Sequence, residues 1–266
     1  PIIINIILII GDNFGKNNNM LTNIPPTHAP RSSTLLSLLI FSCNSDSDDN
    51  SSEVWEQKSE MLTNWADNFI IPSYTTLTNN LVYLEESGNT FASSRNQQNL
   101  ENLRNSFINA YLSWQYVEMF DIGLAEETYY KSKMNIYPTT VSRIELNIQN
   151  GNTDFNNSNN YAAQGFPALD YLLYGIENSD ELILSKFNNE PQYLIYLSNV
   201  INQMLQNPYP IVEDWQNYRN PFIGSVRNTA TSSVNKMTND FIYYYEKGFR
   251  ANKFGIPAGV FSGGAL

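Results

Sequence analysis

A chain of 266 residues can bury a sizeable core, and 42% hydrophobic with 13% aromatic residues describes a globular polypeptide and not a disordered one. A formal charge of −11, with only 15 Lys+Arg and no basic cluster, argues against a nucleic-acid binder, because phosphate backbones are held by basic patches. Cys43 is the one cysteine and His28 the one histidine, so no intrachain disulfide can form, and a mature chain starting at Cys43 contains no imidazole. His-Glu-x-x-His, Ser-His-Asp and Cys-His chemistry are thereby removed from such a chain.

Residues 1–42 read as an upstream and signal segment. Pro1–Ile10 is apolar but shorter than the roughly 20 residues a bilayer span needs, and Met20 is the first possible start. Arg31, the apolar run Leu35–Phe41 and the small Ser42 form a secretory signal. Ile40-Phe41-Ser42-Cys43 resembles the lipobox of bacterial lipoproteins, which makes Cys43 the expected lipidation site and a membrane the expected anchor. The competing reading is a small buried hydrophobe of a core helix. The polar, acidic run after Cys43 favours the anchor, with residues 43–54 as tether, and that run also resembles surface-export signals of some Gram-negative lipoproteins.

From Glu53 the pattern is helical. Leu62, Trp65 and Phe69 recur at three- and four-residue spacing, and Leu77, Leu81 and Leu84 resume it after Pro72, where a kink or break is expected. Ser87-Gly88-Asn89 is expected to end this segment. Asn96–Phe120 carries the clearest stripe, Leu100, Leu103, Phe107, Tyr111 and Trp114, and the same spacing reaches Glu118. Glu118 is either a paired, buried carboxylate or a surface residue on a fraying end. Tyr137, Val141, Ile144 and Ile148 predict a helix capped by Thr139 or Thr140, with Arg143 and Glu145 beside its apolar line. Gln149–Asn160 reads as a loop. Further helical patterns cover Ile176–Asn189, Glu190–Gln206 and Thr229–Arg250, with Pro208 and Pro210 breaking the chain between the last two. No strand pattern of any length occurs, so the fold expected is all-α: a first helical bundle over 55–175 and a second, incomplete one over 176–266. The uncharged tail ending Gly263-Gly264-Ala265-Leu266 reads as a loop, with the remainder of the second bundle expected beyond it.

The stretch Gln164–Gly175 predicts a short helix opened by Pro167 and closed by Gly175 with positive φ. Its frame Gly165-Phe166-Pro167-Ala168-Leu169-Asp170 resembles the Gly-x-His-x-x-Glu signature of the imelysin-like proteins of bacterial envelopes, with Pro167 for the histidine and Asp170 for the glutamate. Trp114-Gln115-x-x-Glu118, Gly123-Leu124-Ala125-Glu126, Tyr137-Pro138-Thr139 and Lys253-Phe254-Gly255-Ile256-Pro257 also fit that family, in order, over about Leu62 to Gly263. The resemblance implies two packed helical bundles with a functional cleft at their interface, an envelope location on the periplasmic or cell-surface side of the outer membrane, and an association with bacterial iron uptake. It also carries a peptidase label and a proposed metal site.

Pro167 offers no ligand atom, and Asp170 is as readily a helix-dipole partner in the first turn as a functional group. An oxygen-only site of Glu118, Glu126 and Asp170 could hold iron or another hard divalent cation. The favoured function is therefore a non-enzymatic, lipid-anchored binding protein working with iron-uptake components. A divergent metallopeptidase and a structural module presenting Tyr243, Tyr244 and Tyr245 are the alternatives.

Overall fold

The computed structural model describes residues 52–256 and 258–260. The signal segment, Cys43, most of the tether, Pro257 and the last six residues lie outside the described residues. Among those described, all secondary structure is helical, as the sequence implies.

Helix α1, Ser52–Trp65, continues through a π turn, Ala66–Ile70, into α2, Ile71–Ser93, with right-handed helical angles at both seams. Pro72 therefore does not break the rod. It is the second residue of α2, so its missing N–H falls where the π ladder hands over to the α ladder. The π turn also shifts the phase of the buried face: Ala66 and Ile70 point inward, and Phe69, expected on the apolar stripe, is exposed. Nor does the helix end at Gly88. A Cβ there would stand 2.9 Å from Ile201 Cδ1, so the glycine is a contact point at which another helix lies close to α2.

That helix is α9, reached through several shorter elements. Asn96 caps α3, Gln97–Trp114, its side chain accepting the Asn99 N–H at 2.9 Å. Two short helices, α4 (Leu124–Glu127) and α5 (Tyr130–Met134), lead to α6, Val141–Asn150. Thr140 holds the N-cap position of α6 without a side-chain cap bond, and the Thr139 hydroxyl donates instead to Ala162 O at 2.7 Å. After the 3-10 turn Ser158–Ala163 come α7 (Gly165–Asp170), a second π turn (Tyr171–Gly175), α8 (Asp180–Asn189) and α9 (Pro191–Gln206). Pro208 and Pro210 open a helix where a break was expected: α10, Pro208–Gly224, takes both into its first turn, where an N–H has no intrahelical partner in any case. Helix α11, Ser233–Tyr243, passes directly into a twelve-residue π-helix, Tyr244–Gly255.

Helices α3 and α9 pack along α2, and α10 leans on α1 and α2. The buried apolar residues form one cluster from Leu62 to Met237, which crosses the expected domain boundary at 175/176 without a gap. Arg104 fastens α3 to the far side of that boundary. Its guanidinium grips Asp180 at 2.9 and 2.8 Å, donates twice to Leu173 O at 3.1 and 2.7 Å, and lies 4.4 Å over the Tyr174 ring.

Hydrogen bonds from Arg104 and then Gln97 hold the Asp180 carboxyl below the usual aspartate range. A carboxyl with a depressed folded pKa stabilises the fold at every pH above its unfolded value of about 3.9, and that contribution is lost as pH falls through the folded value. Asp180→Asn is therefore expected to lower the urea midpoint at neutral pH, with the gap to the parent closing on acidification. Midpoints measured in steps from neutral to acid check this, and a gap that does not depend on pH would contradict it.

Candidate functional site

The motif helix α7 begins at Gly165, two residues before the expected opener Pro167, with Gln164 extended ahead of it. Gly165 has φ +71°, and a Cβ on it would lie 2.2 Å from Met134 O. Only glycine permits α7 to lie this close to the end of α5. Phe166 then packs edge-on against Tyr111, ring centroids 5.2 Å apart, while Pro167 is fully enclosed and fills core space. Asp170 is the last residue of α7 and not part of its first turn, so the dipole role proposed for it does not apply. Gly175 is not in the positive-φ region either. Its bare backbone instead leaves room for the Tyr171 ring, 3.0 Å from where its Cβ would be. Tyr171 and Tyr193 both donate to the Glu145 carboxylate, and burial followed by Glu145 itself pushes both phenols upward.

After Trp114 the chain keeps helical spacing for one more turn, Glu118 N–H donating to Trp114 O at 2.9 Å. That turn carries Glu118 inside, where it is 6% exposed, deciding between the two readings of this residue in favour of burial. A carboxylate out of water needs compensation, and it comes from the other end of the chain. Lys253 Nζ lies 2.5 Å from Glu118 Oε2, with a side chain 10% exposed. Tyr244 donates to the same oxygen at 3.3 Å, and Asn135 Nδ2 to Oε1 at 3.1 Å. Lys253 also donates to Gln115 Oε1 and, at 3.0 Å, to the Tyr244 hydroxyl. The Tyr244 ring reaches this position because Gly248 stands beneath it; a Cβ at 248 would be 2.8 Å from Tyr244 Cδ2. Asn135 Oδ1 is buried with no hydrogen-bond partner.

Tyr111 joins the motif to this centre. Burial pushes its phenol well up, and the charges of Glu118 and, more weakly, Asp170 push it the same way. Tyr137, cis-linked to Pro138, is raised by burial and then by Asp170. Burial, opposed by Arg104 and reinforced by Asp170, takes Tyr174 to about 12. Gln115, Glu118, Asn135 and Asp170 thus all act on Tyr111, and Asp170 acts also on Tyr137 and Tyr174.

Trp114 is a core residue, edge-on to Tyr130 at 5.5 Å. Arg143 sits half-buried on α6, its side chain in no hydrogen bond or ion pair among the described residues. Glu126 does not join the centre: it is exposed on α4 and pairs with Lys236 at 2.5 Å. The three-carboxylate site expected from Glu118, Glu126 and Asp170 is corrected accordingly. Two of its members already take a lysine, and among the described residues no three Asp, Glu, His or Cys side chains converge to hold a metal. Lys253, Asn135 and Tyr111 were not singled out as site residues by sequence reasoning, and Tyr244, expected on a presented surface with Tyr243 and Tyr245, turns inward to Glu118 while those two are exposed. A legible signal exists in the spacing Tyr-x-x-x-Gly, which occurs at Tyr171–Gly175 and at Tyr244–Gly248 and opens a π-helix in both places.

The Imelysin peptidase family model matches residues 70–259, and the chain belongs to that family. Among solved structures, an imelysin-like protein from Psychrobacter arcticum 273-4 superposes with a TM-score of 0.63 at 18% identity, covering 79% of this chain and 66% of its own. A protein from Parabacteroides distasonis ATCC 8503, described as an iron-regulated protein A precursor, gives a TM-score of 0.52 at 17% identity, covering 78% of this chain and 56% of its own. The chain thus spans about two thirds of one neighbour and little more than half of the other. None of the curated proteins matches it.

Two stability measurements probe this geometry. Gly165→Ala adds positive-φ strain of about 1–3 kcal/mol and a backbone clash of similar size, so a loss of about 3 kcal/mol or more in urea denaturation is expected. Lys253→Met strands the buried Glu118 charge, with an expected cost of about 3–5 kcal/mol, and adding Glu118→Gln recovers most of it. Additive losses in that cycle would show the pair to be uncoupled.

Proposed function

We propose that this chain is a non-enzymatic, lipid-anchored imelysin-family binding protein of the bacterial envelope, associated with iron or metal uptake. The observation that carries the reading is Glu118 itself: a buried carboxylate paired with Lys253, accepting from the Asn135 amide and the Tyr244 hydroxyl, with Gln115 Oε1 accepting from the same lysine. The centre offers neither imidazole nor thiolate for zinc. The iron-regulated neighbour supports the physiological side of the reading. The anchor rests on Cys43 and its lipobox, and no helix among the described residues is long and apolar enough to cross a membrane.

The peptidase alternative inherits the family's label but not its motif, because Pro167 stands where the histidine would be. A water-activating metal held through that position therefore has no ligand from this residue.

The test is direct. The chain from Cys43 onward is loaded with Fe²⁺ or Mn²⁺ and assayed for bound metal by mass spectrometry and for peptide hydrolysis with and without chelator. Bound metal that falls at least tenfold in Glu118→Gln/Asp170→Asn, without chelator-sensitive cleavage, is the expected result. Chelator-sensitive cleavage would transfer the assignment to the metallopeptidase reading.

A further inference from the structure

Helix α11 and the start of the π-helix after it lie on the body by one face. Lys236, Asp240 and Tyr244 recur there at four-residue spacing, and Lys236 and Tyr244 each meet a carboxylate, Glu126 and Glu118. Asp240, between them, meets another acid. Phe241 is wedged between the Trp65 ring of α1, at 5.7 Å, and the Phe120 ring, at 6.1 Å. That contact brings their neighbours in the chain, Asp240 and Asp121, both half-buried, to one gap between α11 and the turn after α3. The turn itself is fixed, since Tyr74 of α2 donates to Phe120 O at 2.9 Å. Asp240 Oδ2 is buried in the gap with no hydrogen-bond partner. A buried carboxylate oxygen without a donor is costly, and a like charge beside it adds to the cost.

The charges around the gap are unbalanced by one. Asp121, Glu126 of α4, Lys131 of α5 and Lys236 of α11 itself all act on Asp240, so three carboxyls face two ammonium groups. From α1 the contact is the Trp65 ring, from α2 the Tyr74 phenol, on which Asp121 acts, and from α10 the Tyr218 phenol, on which Lys236 and Glu126 act. Burial and then Asp121 push the Asp240 carboxyl up, against Lys236 and Lys131. Burial pushes Asp121 up as well, against Lys131. We propose that Asp121 and Asp240 form a proton-operated latch: with both carboxylates charged the segment Ser233–Gly255 is held loosely, and uptake of one proton from solvent by the pair balances the gap and draws the segment onto the body. A carboxyl held above its unfolded value of about 3.9 stabilises the docked form fully below that value, and the contribution is lost as pH rises through the folded value. Acidification from neutrality therefore tightens the segment, opposite in sign to its effect on the Asp180 contact.

Hydrogen–deuterium exchange, corrected for the intrinsic pH dependence of amide exchange, reads the opening of this segment in the chain from Cys43 onward, which holds every described residue. In the parent, protection over Ser233–Gly255 is expected to rise about tenfold between neutral pH and about pH 5, as it does when one carboxyl binds its proton about ten times more tightly in the docked form, while α2 and α3 keep theirs. Asp240→Asn removes the charge and keeps the shape, so it is expected to show the raised protection already at neutral pH and to respond little to acid. Asp121→Asn is expected to do the same from the other side of the gap. Protection in the parent that stays flat or falls on acidification overturns the latch, and so does an Asp240→Asn chain that keeps the parent's pH response. The parent arm needs no variant, so a poorly folding substitution leaves the test standing.

Discussion

One buried ion pair, Glu118 with Lys253, ties the turn after α3 to the last helix of the described chain. Removing two charges from water is costly, and the cost is offset only where geometry and further hydrogen bonds are good. Here the carboxylate has a lysine, a phenol and a carboxamide around it, and the lysine has three oxygen acceptors. Much of the local architecture serves that arrangement. The turn after Trp114 carries Glu118 inward, and the π-helix sets Tyr244 and Lys253 toward the same centre.

Glycines shape the site more than the acidic residues do. Gly165 lets the motif helix touch the carbonyl of Met134, Gly175 admits the Tyr171 ring, and Gly248 admits Tyr244. In each case a missing side chain, and not a functional group, decides where a phenol or a helix can lie. Pro167 belongs with them, since it turns the motif's expected ligand position into core packing.

The helical class and the long stripe of α3 were legible because they depend on spacing within one segment. That periodicity brought Glu118 to the edge of the core and left two outcomes, and the choice between them depended on a lysine 135 residues away, which no local pattern contains. Glu126 was misplaced for a related reason: its fit to a family turn says nothing of which way α4 faces, and α4 presents it to Lys236. Pro72, Gly88 and the pair Pro208 and Pro210 were read as breaks because propensity treats proline and glycine as interruptions. In place, a π-to-α seam, a close helix crossing and a helix start absorb them. Phe69 shows the limit of a fixed 3.6 period, since one π turn was enough to rotate it into solvent.

The unbroken core across residues 175 and 176 has a consequence for how the chain holds together. Arg104 binds α3 to groups on both sides of that point, and α9 and α10 lie on α2. The loop between the second π turn and α8 therefore joins two parts of the chain whose buried side chains already share one cluster. Neither half alone has a complete surface to cover its apolar side chains; each is the other's missing layer.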